Sequence, residues 1–413
     1  MSRIIDIMDY EGGRIYFQNF VKRGILEFAR EHEGEDTARL MLRAARYPGI
    51  DMSAAVQQIE GLRTAREKWP GLLEYTDFVY PPRLNREQAS SEETARYKAN
   101  LLLTTFAKSI NPKIPKAGVS VADLTGGMGI DTIAFAKVAE HVDYVERDPQ
   151  LCALMEHNLE ALGISNVAIH CADSLEWIAT AGHFDLVFAD PARRDSHGRK
   201  VAGFEECTPN ILEHLPLIRS HCKRLMVKAS PMIDIDLACG QIGCVEEVHV
   251  VSAGGECKEV LFVGGEPQGE PLIVCGSHRF TRSEEAAAAV RICDAVGRYL
   301  YEPDAALMKA GPYRSICGWY DVAMLGRNTH LYTSDSLTED FPGRRFKVLE
   351  ELKLSRKAVA AVLPDGKAHV MVRNYPIGAA DLQRQLGLKE GGEQFVVATS
   401  VGSRACGFLC ERI

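Results

Sequence analysis

The sequence lacks an apolar run of the ~20 residues that a membrane-spanning helix needs, and we therefore predict no membrane partner. Its first residues, MSRIIDIMDYEGGRIYF, carry acids within the apolar stretch and do not have the layout of a signal peptide. These two absences predict a cytoplasmic protein.

Metal-binding cysteine pairs are also missing. The chain has 12 cysteines but no C-x-x-C, and its closest pairs are Cys239/Cys244 and Cys406/Cys410. Neither pair has a second pair or a histidine cluster at the spacing of a zinc site. We therefore predict no metal, and cysteines that are reduced and mostly buried as small hydrophobic residues.

The chain has no overall excess of positive charge. Its formal net charge is −8, which argues against nonspecific coating of nucleic acid. Residues 343–373 depart from this average, because they contain eight Lys or Arg and only three acids. A local basic surface of this kind is compatible with selective binding of RNA, although a solvated helix face would give the same count.

The 413 residues are enough for two to four domains. Residues 1–84 carry apolar positions at three- and four-residue spacing, which predicts helices. Residues 85–270 include alternating strand-like and helix-like segments, which predict an α/β domain with a mostly parallel sheet. Residues 271–342 predict a small α+β domain of ferredoxin-like type, with a long alanine-rich helix around 283–300. Residues 343–413 predict a second small α+β domain.

A glycine-rich turn, VADLTGGMGIDT, joins a predicted strand to a predicted helix. Gly127 and Gly129 allow a ligand to approach the backbone N–H groups at the start of the helix. No lysine follows Gly129 as it would in a P-loop, and Thr132 stands where a dinucleotide-binding turn has its last glycine. Asp123, just before the turn, would repel a pyrophosphate and attract an ammonium group.

Polar side chains also end the next two predicted strands. Glu146 can accept hydrogen bonds from both ribose hydroxyls of a nucleoside. Asp173 can accept one from an adenine amino group, and Ser174 offers a backbone N–H and a hydroxyl beside it. Glu146 suits NAD and S-adenosylmethionine equally, but a dinucleotide dehydrogenase would have a small residue at Asp173. The set therefore favours S-adenosylmethionine as the cofactor.

The fourth predicted strand ends in the step Asp190-Pro191, the candidate catalytic pair. A carboxylate and a fixed carbonyl are both acceptors, so they suit a substrate amine whose hydrogens are held while its lone pair attacks. Arg193 and Arg194 follow, and either is suited to stack on a base or to bind a phosphate. Pairing with a nearby acid is the structural alternative for them.

The segments DLTGGMGIDT, VERDP, CADSLEW and FADPARR resemble motifs I to IV of class I S-adenosylmethionine-dependent methyltransferases. Thr125 stands in place of the first motif glycine. Turns with a threonine at this position occur in ribosomal RNA guanine-N2 methyltransferases. With QQIEGLRTAREKWP, EQASSEETARYKA and FVVATSVGSRACGFLCERI, the chain is similar to a bacterial methyltransferase family with a THUMP-like C-terminal domain. The resemblance implies a Rossmann-like methyltransferase domain, and RNA binding by residues 343–413.

The resemblance also implies roles for single residues. The methionine side of the cofactor is assigned to the turn, the ribose to Glu146 and the adenine to Asp173 with Ser174. The EQASSE segment of related enzymes lies over the cofactor. The turn and cover residues implied are Asp123, Thr125, Gly127, Gly129, Gln88, Ser90 and Ser91.

Two further absences bear on the atom that is methylated. No aromatic residue follows Asp190-Pro191, so the usual ring that stacks on a base is missing. The next strand ends at Ala229 and Ser230 without a cysteine, which disfavours carbon-5 methylation of uridine. Lys228 and Ser230 are predicted to contact substrate or to support the structure.

The functional prediction is methylation of an exocyclic amine of an RNA base, with guanine N2 favoured, in rRNA or tRNA. A base within a duplex would have to be flipped out to reach the site. The alternatives are a methyltransferase for a small molecule or a protein, and a non-catalytic RNA-binding protein that retains a cofactor fold. The sequence gives no oligomeric state.

Overall fold

The computed structural model describes residues 24–106, 118–192, 203–205, 207–266 and 269–413. The chain forms two compact units. The first consists of Met1–Val248 with Glu259–Gly269, and the second of His249–Lys258 with Glu270–Ile413. The four-domain division predicted from the sequence stays a prediction.

Helices precede the first strand, as the apolar spacing predicts. They are α1 (Gly24–Glu31), α2 (Thr37–Leu42), α3 (Met52–Lys68), α4 (Arg83–Gln88) and α5 (Glu92–Phe106), with 3-10 turns at Ala44–Arg46 and Pro70–Glu74. Aspartates cap two of them: the Asp36 side chain accepts a hydrogen bond from the Arg39 N–H, and that of Asp51 from the Ala54 N–H. Ala55, Ile59 and Trp69 are fully buried in the core that these helices share with the sheet.

The strands of the first unit form a sheet with the order β3-β2-β1-β4-β5-β7-β6. They are β1 (Ser120–Asp123), β2 (His141–Glu146), β3 (Val167–Cys171), β4 (Phe184–Ala189), β5 (Cys222–Ala229), β6 (Val245–Ala253) and β7 (Glu256–Gly264). Strands β1 to β5 are parallel, and β7 runs antiparallel to β5. The α/β class with a mostly parallel sheet is thereby confirmed.

In the described part of the chain, five helices accompany these strands: α6 (Ile130–Ala136), α7 (Pro149–Ala161), α8 (Ser174–Ile178), α9 (Leu215–Ser220) and α10 (Ile235–Ile242). Asp123 at the end of β1 stands in register with Tyr144 of β2 and Phe188 of β4. The turns that follow these strands therefore meet at one edge of the sheet, which is where open α/β sheets bind ligands.

The second unit contains a sheet with the order β11-β12-β10-β13-β16-β15-β14. The strands of this unit after the β6–β7 hairpin are β8 (Leu272–Cys275), β9 (His278–Phe280), β10 (Tyr299–Pro303), β11 (Ala323–Met324), β12 (Tyr332–Ser334), β13 (Gly343–Glu351), β14 (His369–Val372), β15 (Gln394–Val401) and β16 (Arg404–Arg412). Its helices are α11 (Arg282–Ala287), α12 (Ala305–Ala310), α13 (Ser315–Trp319), α14 (Arg356–Val362) and α15 (Ala379–Leu386). Alternate residues of β15 enter two cores, with Val397 in one and Val396 in the other.

The prediction of a long helix around 283–300 is wrong. Helix α11 starts at a capping box made by Thr281 and Glu284, but it ends at Ala287. Beyond it the chain pairs with β11, because the Cys293 N–H donates to the Met324 carbonyl and the Met324 N–H to the Arg291 carbonyl. This tertiary pairing overrides the local helix preference of the alanines.

Candidate active site

The turn after β1 is shaped by its glycines. Gly127 and Gly129 have φ of 53° and 82°, in the left-handed region that favours glycine. A Cβ on Gly129 would also lie 2.3 Å from the Sδ of Met155. The turn is held from β2, because the Tyr144 hydroxyl donates to the Gly127 carbonyl at 2.7 Å.

Asp123 lies behind this turn and is 1% exposed. Its Oδ2 accepts a hydrogen bond from the Thr132 hydroxyl at 2.6 Å, and its Oδ1 accepts one from the Thr125 N–H at 3.0 Å. Burial, together with the nearby carboxylates of Asp131 and Asp190, raises the pKa of Asp123 to about 7. Its charge therefore changes in the neutral pH range.

Thr125 connects the turn to the end of β4. Its hydroxyl accepts a hydrogen bond from the Asp190 N–H at 2.7 Å, and it lies 3.5 Å from Asp123 Oδ1. Glycine, which the motif usually has here, has no side chain to do this. The threonine therefore fixes the backbone of Asp190 relative to the turn.

Two further acids lie at the ends of β2 and β3. Glu146 accepts hydrogen bonds from the N–H groups of Gly127 and Asp148, both at 2.9 Å. Asp173 caps α8, since its Oδ1 accepts from two backbone N–H groups of the first turn. Within the described residues, none donates to Asp173 Oδ2, so that oxygen keeps its capacity to accept.

The carboxylate of Asp190 is paired with a buried lysine. Lys228 Nζ lies 2.5 Å from Asp190 Oδ2, and the Lys228 side chain is 7% exposed. Burial alone would lower the pKa of Lys228, but the carboxylates of Asp190, Glu259 and Asp131 together raise it above its usual value. Lys228 is therefore a cation at neutral pH.

The pair belongs to a larger buried cluster centred on Ser90. The Ser90 hydroxyl donates to Asp131 Oδ2 at 2.7 Å and accepts from the ammonium groups of Lys98 and Lys228, both at 3.1 Å. One donor and two acceptors are all that a hydroxyl has. Protein groups therefore take up the full hydrogen-bonding capacity of the Ser90 hydroxyl.

Lys98 and Glu259 complete the charge cluster, which consists of Asp131, Asp190, Glu259, Lys98 and Lys228. Lys98 is fully buried and lies 2.6 Å from Glu259 Oε1 and 3.1 Å from Asp131 Oδ1. Burial alone would raise the pKa of Asp131, but Lys98 and Lys228 lower it below its usual value. The charge cluster joins α5, α6, β5 and β7 to the end of β4.

These strand ends surround a cavity of about 1030 Å³. Among the described residues, its walls carry seven acids and one arginine: Glu87, Asp123, Asp131, Glu146, Asp148, Asp173, Asp190 and Arg147. A lining of this charge fits a ligand with sulfonium and ammonium groups and does not fit a pyrophosphate. The residues present therefore fit S-adenosylmethionine.

Comparisons with known proteins agree with this fit. The sequence profile of a family described as RNA cap guanine-N2 methyltransferase matches residues 119–194. Profiles described as a ferredoxin-like domain and a THUMP domain-like family match residues 299–342 and 343–412.

An uncharacterised S-adenosylmethionine-dependent methyltransferase of Mycobacterium tuberculosis, found in two strains, is 27% identical over 338 residues, which are 79% of this chain and 87% of the relative. A solved structure from Porphyromonas gingivalis W83, assigned as a candidate methyltransferase, has a TM-score of 0.78 and 27% identity. That likeness covers 94% of this chain and 97% of the other. The chain is a class I methyltransferase. Its cofactor is S-adenosylmethionine, in agreement with the charge of the cavity and with the mycobacterial relative.

The structure of the methyltransferase brings most of the predicted site residues to one cavity. The predicted residues that line it are Gln88, Ser90, Asp123, Thr125, Gly127, Gly129, Glu146, Asp173, Ser174, Asp190, Pro191 and Ser230. Lys228 is not among the lining residues, and its ammonium contacts Asp190 and Ser90 instead. Ser91 does not line the cavity either, and its hydroxyl accepts from the Thr94 N–H. Arg193 and Arg194 lie outside the described residues.

Sequence reasoning missed part of the methyltransferase site. Lys98, Asp131 and Glu259 carry the buried charges behind Asp190, and the only sequence signal was a charged residue within otherwise apolar segments. Leu84 and Met232 also line the cavity, although they are 47% and 78% exposed. Both are thus apolar side chains that line the cavity while remaining open to solvent.

Within the described residues, no helix of the methyltransferase is long and apolar enough to cross a membrane. The same part of the chain holds no group of three or more His, Cys, Asp or Glu placed to bind a metal ion. Cytoplasmic location stays a prediction.

Proposed function

We propose that this methyltransferase acts on an exocyclic amine of an RNA base, with guanine N2 favoured, in rRNA or tRNA. The observation that carries the proposal is the set of hydrogen-bond partners of the Asp190 carboxylate. Lys228 occupies its Oδ2, and no described residue donates to its Oδ1. A charged oxygen that only accepts selects a substrate atom that bears a hydrogen, as an amino group does.

The second support is the charge of the cavity. An excess of acids disfavours an anionic acceptor such as a phosphate or a carboxylate at the reaction site. A nucleobase is uncharged, and its amino group offers two N–H donors. The acidic lining thus fits a base that enters the cavity while its phosphates remain outside.

The third support comes from the apolar side chains at the mouth. The backbone N–H of Met232 donates to the Ser230 hydroxyl at 3.1 Å, which fixes the start of that segment. We propose that the thioether of Met232 and the side chain of Leu84 pack on the faces of the base. Thioethers make favourable contacts with aromatic rings, so they replace the missing stacking ring.

The cofactor roles follow the same geometry. We propose that Glu146 binds the ribose hydroxyls, that Asp173 Oδ2 accepts from the adenine amino group beside Ser174, and that Gln88 closes the cavity from α4. Asp123 and the N–H groups of the Thr125–Gly129 turn are assigned to the methionine end. When bound, S-adenosylmethionine supplies a methyl group on a sulfonium sulfur. The protein's part is to align the amine with that methyl and to exclude water.

RNA as the substrate class is supported by the match of residues 119–194 to an RNA methyltransferase family and of residues 343–412 to a THUMP-like family. Not all of the basic stretch is available for RNA. Arg344 and Arg373 both pair with Glu302. The exposed basic residues of the stretch that have no ion pair within the described residues are Lys347, Lys353, Arg356, Lys357 and Lys367. We propose that these contact RNA, and that Arg193 and Arg194 contact the target nucleotide.

The test is transfer of a tritiated methyl group from S-adenosylmethionine to RNA from a strain that lacks the protein, followed by mass spectrometry of the nucleosides. We expect label in N2-methylguanosine. Asp190→Asn should bind S-adenosylhomocysteine in calorimetry but lose transfer. Asp185→Asn, at the other end of β4, is the matched control and should keep transfer. Label in small metabolites or in protein, with none in RNA, would contradict the proposal.

A further inference from the structure

Helix α4 forms part of the cavity wall, and it has two different sides. Its lining residues are Leu84, Asn85, Glu87 and Gln88. Arg86, in contrast, is buried and does not line the cavity. Successive residues of an α-helix are about 100° apart around its axis, so Arg86 lies on the side of α4 opposite to the lining residues. The helix therefore presents one side to the cavity and the other to the protein.

Contacts of Arg86 and Lys68 hold α4 in place. The Arg86 guanidinium donates to the Pro81 carbonyl at 2.8 Å and lies 3.1 Å from the Glu60 carboxylate. The end of the helix is held as well, because Lys68 Nζ donates to the Arg86 carbonyl at 2.9 Å. Recognition is more precise when the recognising side chain stands on a rigid element. α4 is such an element.

Asn85 is a half-buried polar residue on the cavity side of this helix. Within the described residues, no group forms a hydrogen bond with its side chain. Glu87 on the same side differs, because its carboxylate pairs with Arg83 at 2.7 Å. A side-chain amide offers both an acceptor oxygen and a donor nitrogen. The Asn85 amide therefore has its full hydrogen-bonding capacity left for a ligand in the cavity.

A short chain of contacts fixes α4 relative to Asp190. The Ala89 N–H donates to the Asn85 carbonyl at 3.0 Å, so these two residues lie one helical turn apart, a rise of about 6 Å. The next residue, Ser90, accepts from Lys228 Nζ at 3.1 Å, and that ammonium lies 2.5 Å from Asp190 Oδ2. Asn85 and Asp190 thus line the same cavity and are held by one connected set of contacts.

We propose that Asn85 is the residue that selects guanine as the acceptor base: its amide oxygen accepts from the N1–H of the base and its amide nitrogen donates to O6. Asp190 accepts from the N2 amino group of the same base. This inference rests on the proposed function of Asp190. Asparagine makes two-point contacts of this kind with base edges, and unpaired bases are recognised on their Watson–Crick edges. Asn85 also follows Leu84, which is assigned to a face of the base.

The order of donors and acceptors along each base edge explains the selection. Guanine presents the N2 amino group, the N1–H and the O6 acceptor in sequence, so a carboxylate and an amide satisfy all three. With its N6 amino group at Asp190, adenine presents only the N1 acceptor beside it, and Asn85 forms a single hydrogen bond. Cytosine presents two acceptors beside its N4 amino group, so the amide oxygen of Asn85 faces an acceptor. A site that hydrogen-bonds one N–H strongly rejects a base without it.

The first experiment uses nucleosides and needs no RNA. Guanosine, inosine and 2-aminopurine riboside are titrated to millimolar concentration into the intact protein with saturating S-adenosylhomocysteine, and binding is followed by ligand-observed NMR. Inosine lacks the amino group that Asp190 accepts from. 2-Aminopurine riboside keeps that group but lacks the N1–H and O6. We expect the wild type to bind guanosine about tenfold or more tightly than either analogue.

Asn85→Ala should lose one of these two preferences and keep the other. The variant should bind guanosine and 2-aminopurine riboside with similar affinity, and it should still prefer guanosine to inosine. Alanine favours helix, so α4 should be retained. Asn100→Ala is the matched control, because Asn100 is an exposed asparagine on α5 that does not line the cavity. It should keep both preferences.

Three results of this experiment would overturn the inference. The first is a wild type that binds guanosine no better than 2-aminopurine riboside, or binds neither. The second is an Asn85→Ala variant that keeps the wild-type preference between these two nucleosides. The third is loss of both nucleosides in Asn85→Ala, which would indicate a structural role for the side chain.

The second experiment is the choice of base during transfer to RNA. Asn85→Ala should lower kcat/KM for RNA by about tenfold, while KM for S-adenosylmethionine stays near the wild-type value. The share of label in methylated adenosine and cytidine should rise. A lower rate with all label still in N2-methylguanosine would contradict selection by Asn85. If the wild type labels no RNA, the proposed function fails, and the nucleoside comparison still decides the role of Asn85.

Discussion

The Thr125 hydroxyl accepts a hydrogen bond from the Asp190 N–H at 2.7 Å. This one contact joins the turn that is assigned to the cofactor with the residue that is assigned to the acceptor. It also accounts for a departure from the usual motif, because a glycine at position 125 would leave the Asp190 N–H without this partner.

Thr125→Ala should therefore separate binding from transfer. The variant keeps the turn but removes the acceptor for the Asp190 N–H, and an unsatisfied donor costs about 1–3 kcal/mol. We expect transfer to fall about tenfold, which corresponds to about 1.4 kcal/mol, while S-adenosylhomocysteine affinity in calorimetry changes less than about threefold. Thr125→Ser keeps the hydroxyl and should retain activity. Equal losses in the two variants would assign the effect to the methyl group.

Asp123→Asn should have opposite effects on stability and on binding. The pKa of Asp123 is raised to about 7 in the folded protein from 3.8. The stability linked to its proton is therefore complete below about pH 4 and is lost as the pH rises through about 7. Asparagine carries no charge, so we expect Tm at pH 8 to rise by roughly 3 °C or more. The gain should shrink toward pH 5.

The same variant should weaken the cofactor complex. Wild-type affinity for S-adenosylmethionine should fall as the pH drops below about 7, because Asp123 takes up a proton and loses the charge that attracts an ammonium group. In Asp123→Asn the affinity should be lower and nearly independent of pH over that range. Calorimetry at several pH values measures both. A wild-type affinity that does not change with pH would argue against a charged contact between Asp123 and the ligand.

Glu146→Ala should remove most of the cofactor affinity. The carboxylate holds the N–H groups of Gly127 and Asp148 and is assigned to two ribose hydroxyls. Two lost hydrogen bonds to a charged group predict a loss of roughly 100-fold, about 3 kcal/mol. Asp148→Asn is the control, since Asp148 also lines the cavity and asparagine keeps its role as a helix cap. Comparable losses of affinity in both variants would mean that the overall charge of the cavity, and not a contact of Glu146 with the ribose, causes the loss.

Ser90→Ala should destabilise the fold. Removal of the hydroxyl takes one partner from each of three buried charged groups, those of Lys98, Lys228 and Asp131. We expect the free energy of unfolding to fall by about 2–3 kcal/mol, measured by denaturant titration. Ser220→Ala, at an exposed position on α9, should change it by less than about 0.5 kcal/mol. A wild-type midpoint for Ser90→Ala would mean that water replaces the hydroxyl.

The sequence predicted the parts of this site that depend on local order. A strand, a glycine turn and a helix follow one another directly, and the strand-end acids Glu146, Asp173 and Asp190 meet because parallel strands share an edge. It could not predict partners brought together by the fold. Lys98 and Glu259 are separated by 161 residues, and nothing local distinguishes a buried lysine from an exposed one. For the same reason the hydrogen bond between the side chains of Lys228 and Ser90 could not be predicted, and contact of either residue with a ligand stays a prediction.

The helix predicted around 283–300 shows a second limit of sequence-based prediction, in which tertiary pairing overrides a local helix preference. Alanines favour helix in any context, but Cys293 and Arg291 make backbone hydrogen bonds with Met324. A pattern read within one segment carries no information about a strand thirty residues later. Only the start of the predicted helix agrees with the structure, where α11 begins at Arg282 behind a capping box made by Thr281 and Glu284, three residues apart.

The excess of acids in the cavity walls also bears on turnover. Transfer of the methyl group converts a sulfonium cation into a neutral thioether, so the spent cofactor carries one positive charge less than the fresh one. We expect the described part of the walls, with seven acids and one arginine, to stabilise the fresh form more than the spent one. We therefore expect the charge that captures the reactant also to favour release of the by-product.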